Sequence, residues 1–249
     1  MLTSRSRTAW SKHIWALAFA VTACTSSESL AAQPAVTAAN VVDATTSTAS
    51  TPANDQAPTR DVGETEHATM TLDGAASTLS ELVLADRVRT GYSRDEFGDG
   101  WRTTGGCTTR ERVLIAESIR TAVTGPGCEN EGGEWHDWYR TGSPVIDDAS
   151  TLDIDHMVPL RQAWQAGAWA WTDQQRSDYA NDLVHPWTLT AVSASQNRAK
   201  SDSPPDAWQP PNKAARCQYA KDWIAVKADW RLTVTVAETD ALRHMLETC

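Results

Sequence analysis

The chain has 249 residues and a formal net charge of −10, from 22 Lys and Arg against 32 Asp and Glu. This balance argues against a protein that holds nucleic acid through a broad basic face, because such binding needs a surplus of Lys and Arg. The apolar run at residues 14–21 is too short for a membrane span, which takes roughly 20 apolar residues.

The N-terminus has the pattern of an export signal. Basic residues precede the apolar run at 14–21, and small residues follow it directly before Cys24. This order is typical of a secretory signal peptide. The small residues before the cysteine resemble a bacterial lipobox, which predicts a signal peptide at 1–23 and a lipid-anchored, exported protein that begins at Cys24. An ordinary signal peptide cut near 31–32, with a secreted product, is the alternative.

The next segment, residues 24–77, is rich in Ala, Thr, Ser and Pro and has few large apolar side chains. Such a composition buries too little surface to offset the entropy cost of ordering, so we expect a disordered tether. One folded domain is predicted at residues 78–249, which hold ten of the twelve Trp and 18 Lys and Arg against 25 Asp and Glu.

Four cysteines remain once Cys24 is set aside, and an even number in an exported domain implies disulfides. Four cysteines allow three pairings. We prefer Cys107 with Cys128 and Cys217 with Cys249, because each pair closes a local segment. No two cysteines stand two to four residues apart, so a zinc site is disfavoured.

Capping-box patterns mark several helix starts. The Thr-x-x-Glu or Thr-x-x-Gln patterns begin at Thr78, Thr108, Thr172 and Thr235. The first predicted helix runs to about Arg89, and a longer helix is expected over 213–230.

The predicted strands are few. Two apolar and β-branched segments, 152–158 and 188–193, are expected to be strands, and the Ser193-x-x-Gln196 pattern caps a short helix after the second. The sequence therefore predicts an α+β fold, a mostly helical domain around a small strand–strand–helix core.

The candidate chemistry lies on this core. Asp155 directly precedes His156 on the first strand, and Asn197 lies on the helix. Neutral imidazole suits the deprotonation of water, and Asp and Asn oxygens suit Mg²⁺ or Mn²⁺. We predict that His156 is a general base and that Asp155 and Asn197 are metal ligands. Asp153, on the same strand face as Asp155, is either a further ligand or a solvent-exposed carboxylate.

These residues carry a family resemblance. The segment Asp155-His156-Met157-Val158-Pro159 and the segment 197–202 resemble the paired motifs of HNH (ββα-metal, or His-Me finger) endonucleases, including the HNH domain of the CRISPR RNA-guided DNA nuclease. The wider stretch 92–212 is similar to secreted bacterial proteins related to the C-terminal domain of the GmrSD restriction enzymes. The resemblance implies a ββα-metal core and a metal-dependent endonuclease whose substrate is DNA, with RNA as a second possibility.

One position departs from the family pattern. Many HNH domains carry a middle Asn nine residues before the helix Asn, where it orients the catalytic His. Thr188 stands there in this sequence. A backbone carbonyl and Asn181 are the two substitutes that the sequence leaves open.

Four basic residues are predicted to contact substrate phosphate, namely Arg94, Arg110, Arg198 and Lys200. Internal ion pairs with Asp95, Glu111 or Asp202 are the alternative. His136 and His185 are expected to be surface and structural residues. No protein partner is predicted, and the only expected membrane link is the lipid at Cys24.

Other functional classes compete with the nuclease. A non-catalytic surface lipoprotein would use the same scaffold as a binding module. A different metal-dependent phosphoesterase, or a toxin delivered to rival cells, is a third hypothesis. The complete set of Asp155, His156 and Asn197 favours an enzyme over a binding module.

Overall fold

A computed structural model describes residues 70–249 of the chain. Its helices in this part are α1 (Leu72–Glu81), α2 (Thr109–Glu117), α3 (Leu160–Gln165), α4 (Asp173–Ala180), α5 (Ala194–Lys200), α6 (Arg216–Asp229) and α7 (Val236–Leu246). The strands are β1 (Thr103–Thr104), β2 (Cys107–Thr108), β3 (Val123–Thr124), β4 (Asn130–Gly132), β5 (Trp135–His136), β6 (Val145–Ile146), β7 (Leu152–His156) and β8 (Leu189–Ser193). Consecutive strands pair as four two-stranded antiparallel sheets. The predicted α+β, mostly helical fold is confirmed.

The longest sheet is the hairpin of β7 and β8, followed directly by α5. Its register runs from Leu152 opposite Ser193 to His156 opposite Leu189. The side chain of Ser193 accepts a hydrogen bond from the backbone N–H of Gln196 and caps α5 as predicted. The strand–strand–helix unit therefore forms where the sequence places it.

The hairpin has two different faces, because successive side chains of a strand point to opposite sides. One face is apolar and packs with α2 and Trp135 in a small core that includes Leu152, Ile154, Leu189 and Ala191. The other face carries Asp153 and Asp155 and lies against α5. Because successive side chains alternate along β7, the two carboxylates lie on the face opposite the apolar contact with α2.

The larger core is built around α6. Trp223, Ile224 and Val226 are fully buried and pack with residues of α1, α3, α4 and α7. The buried carboxylate of Glu238 accepts hydrogen bonds from the indole N–H of Trp223 at 2.6 Å and is paired with the ammonium of Lys227 at 2.9 Å. This network joins α6 to α7 inside the core.

The first helix begins earlier than predicted. Its N-cap is Thr71, whose side chain accepts a hydrogen bond from the N–H of Gly74, and the helix ends at Glu81 because Leu82 is extended. The pattern at Thr78 therefore falls in the last turn and not at the start. Residues 72–77, predicted to end the tether, are helical because Ala75 and Leu79 are buried in the larger core.

The other predicted helix starts agree with the structure. Both reciprocal hydrogen bonds of the capping box are present at Thr108, Thr172 and Thr235. Helix α6 begins at Arg216, after a short 3₁₀ turn at Lys213–Ala215. The three small sheets between residues 103 and 146 were not predicted, because strands of two or three residues show no period.

Both preferred disulfides are confirmed, Cys107–Cys128 and Cys217–Cys249. The second bond joins the first turn of α6 to the C-terminal residue. No helix among residues 70–249 has the length and apolar character to cross a bilayer. The predicted signal peptide, and the tether up to residue 69, lie outside the described residues.

Asp222 on α6 generates a prediction about stability. It is 9% exposed and accepts a 2.6 Å hydrogen bond from the amide of Gln218, and burial raises its pKa to about 7. An unfolded Asp ionises near pH 4. Between about pH 4 and pH 7 the folded state therefore holds a proton that the unfolded state has released, and the free energy of unfolding falls as pH rises through this window.

We expect Asp222→Asn to remove this dependence. Native protein should lose on the order of 2 kcal/mol more stability than Asp222→Asn between pH 5 and pH 8. Urea denaturation at the two pH values measures this. Asp240→Asn, at an exposed position on α7, is the control and should behave as the native protein does. An equal pH dependence in Asp222→Asn would contradict the assignment.

Candidate active site

Asp155 lies at the centre of a buried polar cluster. Its Oδ2 accepts hydrogen bonds from the hydroxyl of Tyr139 at 2.8 Å and from the Nζ of Lys200 at 2.7 Å, and its Oδ1 accepts from the same Nζ at 2.8 Å. Lys200 donates a third bond to the backbone carbonyl of His156 at 2.7 Å and is 0% exposed. These three bonds match the three protons of an ammonium group, as in an ion pair between Lys200 and Asp155.

Burial opposes both charges of this pair. It raises the pKa of Asp155 and lowers the pKa of Lys200, and in each case the charge of the partner acts in the opposite direction. Because the ammonium bonds to both Asp155 and the next residue's carbonyl, it holds the end of β7 against α5.

A second polar pair lies beside the first. The amide nitrogen of Asn197 donates to the Oδ2 of Asp153 at 3.1 Å. Both side chains are partly exposed, whereas Asp155 and Lys200 are buried. The predicted ligands Asp155 and Asn197 therefore lie in the same region, but each is hydrogen-bonded to a different partner.

His156 is held in one tautomer. Its Nε2–H donates to the backbone carbonyl of Ala180 at 3.0 Å, which leaves Nδ1 as the unprotonated ring nitrogen. The ring is 7% exposed and stacks on Trp101 with centroids 5.5 Å apart and an angle of 16° between the planes. Burial lowers the pKa of His156 to about 4. The imidazole is therefore neutral at pH 7, as a general base requires.

The carbonyl of Ala180 contacts the His156 ring and holds its orientation. Thr188 is occupied differently: its carbonyl accepts from the N–H of Met157 at 2.9 Å, and its hydroxyl donates to Asp182 at 2.8 Å. The carbonyl is thus the substitute that contacts His156.

Asn181 does not contact the imidazole of His156 but supports the neighbouring backbone of Ala180. Its Oδ1 accepts hydrogen bonds from the backbone N–H of Arg102 and the hydroxyl of Thr109, both at 2.7 Å, and its amide donates to the carbonyl of Ser177 at 3.1 Å. These bonds hold the end of α4, where Ala180 presents its carbonyl.

The four predicted phosphate contacts divide into two groups. Arg94 and Arg198 are exposed, and their guanidinium groups make no hydrogen bond or ion pair with another residue of 70–249. After burial, the charge of Arg94 contributes to lowering the pKa of His156. The guanidinium of Arg110 instead donates to the carbonyls of Leu152 at 2.9 Å and Ala149 at 2.8 Å, and so fixes α2 to the start of β7.

Lys200 also differs from expectation. It pairs with Asp155 and not with Asp202, whose carboxylate is bound by Arg161 at 3.0 Å. A lysine with no exposed surface cannot meet a substrate phosphate in this conformation, so Arg94 and Arg198 are the basic candidates that face solvent.

Sequence reasoning missed three residues of the site, namely Trp101, Tyr139 and Ala180. Trp101 and Tyr139 lie in segments of irregular structure, and Ala180 acts through its backbone, which no side-chain pattern reveals. The other histidines lie as expected: His136 is exposed, and His185 is bound by the buried carboxylate of Asp182 at 2.8 Å.

The polar face of the hairpin carries both carboxylate and amide oxygens. Within residues 70–249, no group of three or more His, Cys, Asp or Glu side chains is placed to hold a metal ion. The donor chemistry nevertheless fits a hard divalent cation, because Asp153, Asp155 and Asn197 present carboxylate and amide oxygens on one face.

The fold and site define a ββα protein with an Asp-His pair on its first strand and an Asn on its helix. The family described as "GmrSD restriction endonucleases, C-terminal domain" matches residues 128–245. An "Uncharacterized secreted protein" of Arthroderma benhamiae (strain ATCC MYA-4681 / CBS 112371) is 42% identical over 180 residues, which cover 70% of this chain and 86% of the relative. No solved structure matches significantly.

This chain belongs to the GmrSD C-terminal domain family. Membership indicates a nuclease-like function with a nucleic acid substrate. The secreted relative and the two disulfides support export.

Asn181→Ala tests how His156 is oriented. Loss of the bonds to Arg102 and Thr109 should loosen the carbonyl of Ala180, so the Nε2 proton of His156 should exchange with solvent at least about tenfold faster, with a stability loss of about 1–3 kcal/mol. NMR exchange of that proton is the measurement. Gln174→Ala, at an exposed position of α4, is the matched control. An unchanged exchange rate in a folded Asn181→Ala protein would show that Asn181 does not support the carbonyl.

Proposed function

We propose that this chain is an exported, metal-dependent HNH-type endonuclease that hydrolyses phosphodiester bonds of DNA, with RNA as the alternative substrate. One observation carries the proposal. On a strand–strand–helix unit, next to Asp155, a buried neutral imidazole donates its Nε2–H to the carbonyl of Ala180 and keeps Nδ1 unprotonated.

His156 is the general base of the proposed reaction. Nδ1 removes a proton from the attacking water, and the carbonyl of Ala180 stabilises the imidazolium through the Nε2–H bond. Burial and the stacked ring of Trp101 restrict the imidazole to one orientation. Such positioning lowers the entropy cost of the step.

The proposed cofactor is Mg²⁺ or Mn²⁺, held by the oxygens of Asp155 and Asn197, with Asp153 as a further donor. When bound, a divalent cation supplies positive charge to the phosphate and the leaving oxygen. Contacts within the chain position these oxygens. The amide of Asn197 donates a hydrogen bond to Asp153, and the ammonium of Lys200 fixes the position of Asp155.

An acidic protein that acts on a polyanion needs local positive charge. We assign the phosphate contacts to Arg94 and Arg198, which are exposed and not engaged by other described residues. We assign Arg110 and Lys200 to support of β7, because their donors are used inside the protein. Few phosphate contacts imply little counterion release and a shallow dependence of binding on salt.

We expect His156→Ala to lower the rate of plasmid nicking by about 10²–10⁴-fold, the usual contribution of a general base. The assay compares native protein, His156→Ala and the exposed-histidine control His136→Ala, each with Mg²⁺ or Mn²⁺ and with EDTA. Native protein and the control should nick the plasmid only with metal. Activity that survives in His156→Ala, or an inactive native protein with intact disulfides, would contradict the proposal; the second result would favour a non-catalytic binding module.

The proposed anchor is a lipid on Cys24, with no protein partner. The support is the lipobox-like sequence before this cysteine, which lies outside the described residues. A single acyl chain binds membranes only marginally, so stable anchoring requires more than one lipid chain.

Cys24→Ala removes the thiol to which the lipid would attach. We expect this variant to move from the membrane fraction to the soluble fraction of the producing cells, as followed by immunoblotting after fractionation. Ser26→Ala, a neighbouring change that keeps the thiol, is the control. Equal partitioning of both variants would favour an ordinary signal peptide and a secreted product.

A further inference from the structure

His185 lies between two carboxylates, away from the hairpin face that carries Asp155. It is the one histidine of residues 70–249 with a carboxylate oxygen within 4.0 Å of each ring nitrogen. Its Nδ1 is 2.8 Å from the Oδ2 of Asp182, and its Nε2 is 4.0 Å from the Oδ2 of Asp229, the last residue of α6. We infer that His185 and Asp229 bind a transition-metal dication of the Zn²⁺ type. This inference goes beyond the proposed function and does not depend on it.

Asp182 selects the tautomer of His185. The carboxylate is buried, and its Oδ2 accepts hydrogen bonds from the hydroxyl of Thr188 at 2.8 Å and the indole N–H of Trp230 at 3.0 Å. The same oxygen accepts from the Nδ1–H of His185. In the neutral ring, Nε2 is then the unprotonated nitrogen, and it makes no hydrogen bond with another residue of 70–249. Its lone pair is therefore open to a metal.

Asp229 is fixed on the other side of this nitrogen. Its Oδ2 accepts a 2.8 Å hydrogen bond from the indole N–H of Trp187. Two acceptors, the Nε2 of His185 and the Oδ2 of Asp229, thus face each other across 4.0 Å, which is too long for a hydrogen bond. Two ligands of one zinc ion, with bonds of about 2.0–2.2 Å at the tetrahedral angle, are about 3.4 Å apart. A shift of roughly half an ångström in these two side chains therefore meets the zinc geometry.

The contacts around the two ligands are those of metal-binding side chains. A metal-ligating His usually donates its other ring N–H to a carboxylate, and ligating carboxylates are themselves hydrogen-bonded. Asp182 supplies the first contact and Trp187 the second. Imidazole suits Zn²⁺, Cu²⁺ and Ni²⁺, whereas Mg²⁺ takes oxygen ligands. The site therefore differs in metal preference from the oxygen donors of the hairpin.

Charge and exposure also favour a dication. No Lys or Arg within residues 70–249 forms an ion pair with Asp182 or Asp229, so two negative charges lie beside a neutral ring. Such a field attracts a cation. The side chains of His185 and Asp229 are 33% and 30% exposed, which lets water complete the coordination. Catalytic and structural zinc sites have three or four protein ligands, so we expect this two-ligand site to bind reversibly.

A bound metal would join two parts of the chain. His185 lies in the segment between α4 and β8, and Asp229 ends α6. This segment directly follows Ala180, whose carbonyl contacts His156. The metal would therefore hold that segment against the end of α6.

The test is a Zn²⁺ titration of the mature protein with isotope-labelled histidine, followed by NMR of the ring nitrogens. The Nε2 resonance of His185, assigned by its absence in His185→Gln, should shift on Zn²⁺ binding while Nδ1 stays protonated. Asp229→Asn keeps the shape of the side chain and should weaken Zn²⁺ binding at His185 at least tenfold. Asp240→Asn, an exposed acid on α7, is the control and should bind as the native protein does.

His244 is the internal reference, because it is exposed and has a carboxylate, that of Glu247, at Nδ1 alone. It should respond only at a Zn²⁺ concentration at least tenfold higher. A His185 resonance that does not respond to Zn²⁺ overturns the inference, and so does native-like affinity in a folded Asp229→Asn protein. If circular dichroism shows Asp229→Asn to be unfolded, the response of His185 relative to His244 in native protein decides the question. Metal-dependent plasmid nicking is unaffected by either outcome, because neither ligand takes part in the proposed reaction.

Discussion

The site depends on one buried ammonium. Lys200 has no exposed surface and donates to both oxygens of Asp155 and to the carbonyl of His156. Transfer of an ion from water to the interior costs several kcal/mol even after relaxation, and good geometry with complete hydrogen bonding is needed to offset this cost. All three protons of the ammonium are used, so this requirement is met. The bridge joins the last residue of α5 to the end of β7.

Around this bridge, the hairpin separates two chemical environments. Its apolar face is covered by α2 and Trp135, and its polar face by α5. His156 stands at the strand end, where burial keeps it neutral and the carbonyl of Ala180 selects its tautomer. The neutral state of the His156 imidazole therefore results from packing on the surrounding helices. The side chains of Asp153 and Asp155 point to the opposite face of the strand, because successive side chains alternate.

Much of the fold was predictable because its signals are local. The capping boxes at Thr108, Thr172 and Thr235 satisfy backbone N–H groups within one turn, so the sequence pattern and the structure coincide. The helix start predicted at Thr78 was wrong because a long-range effect decides it. Burial of Ala75 and Leu79 in the larger core extends the helix back to Leu72. Tertiary packing outweighed a weak local preference there.

The sequence by itself determined the strand–strand–helix order and the presence of Asp155, His156 and Asn197 on that unit, and it favoured the disulfide pairing that closes local segments. Only the tertiary structure decided what each side chain bonds to. The ammonium of Lys200 reaches Asp155 across 45 residues of sequence, and the carbonyl of Ala180 reaches His156 across 24. A backbone carbonyl has no sequence signature, and the sequence does not distinguish a lysine that contacts phosphate from one that is buried in the core. The partner of each side chain follows from burial and from the need to satisfy buried hydrogen-bonding groups, which sequence motifs do not encode.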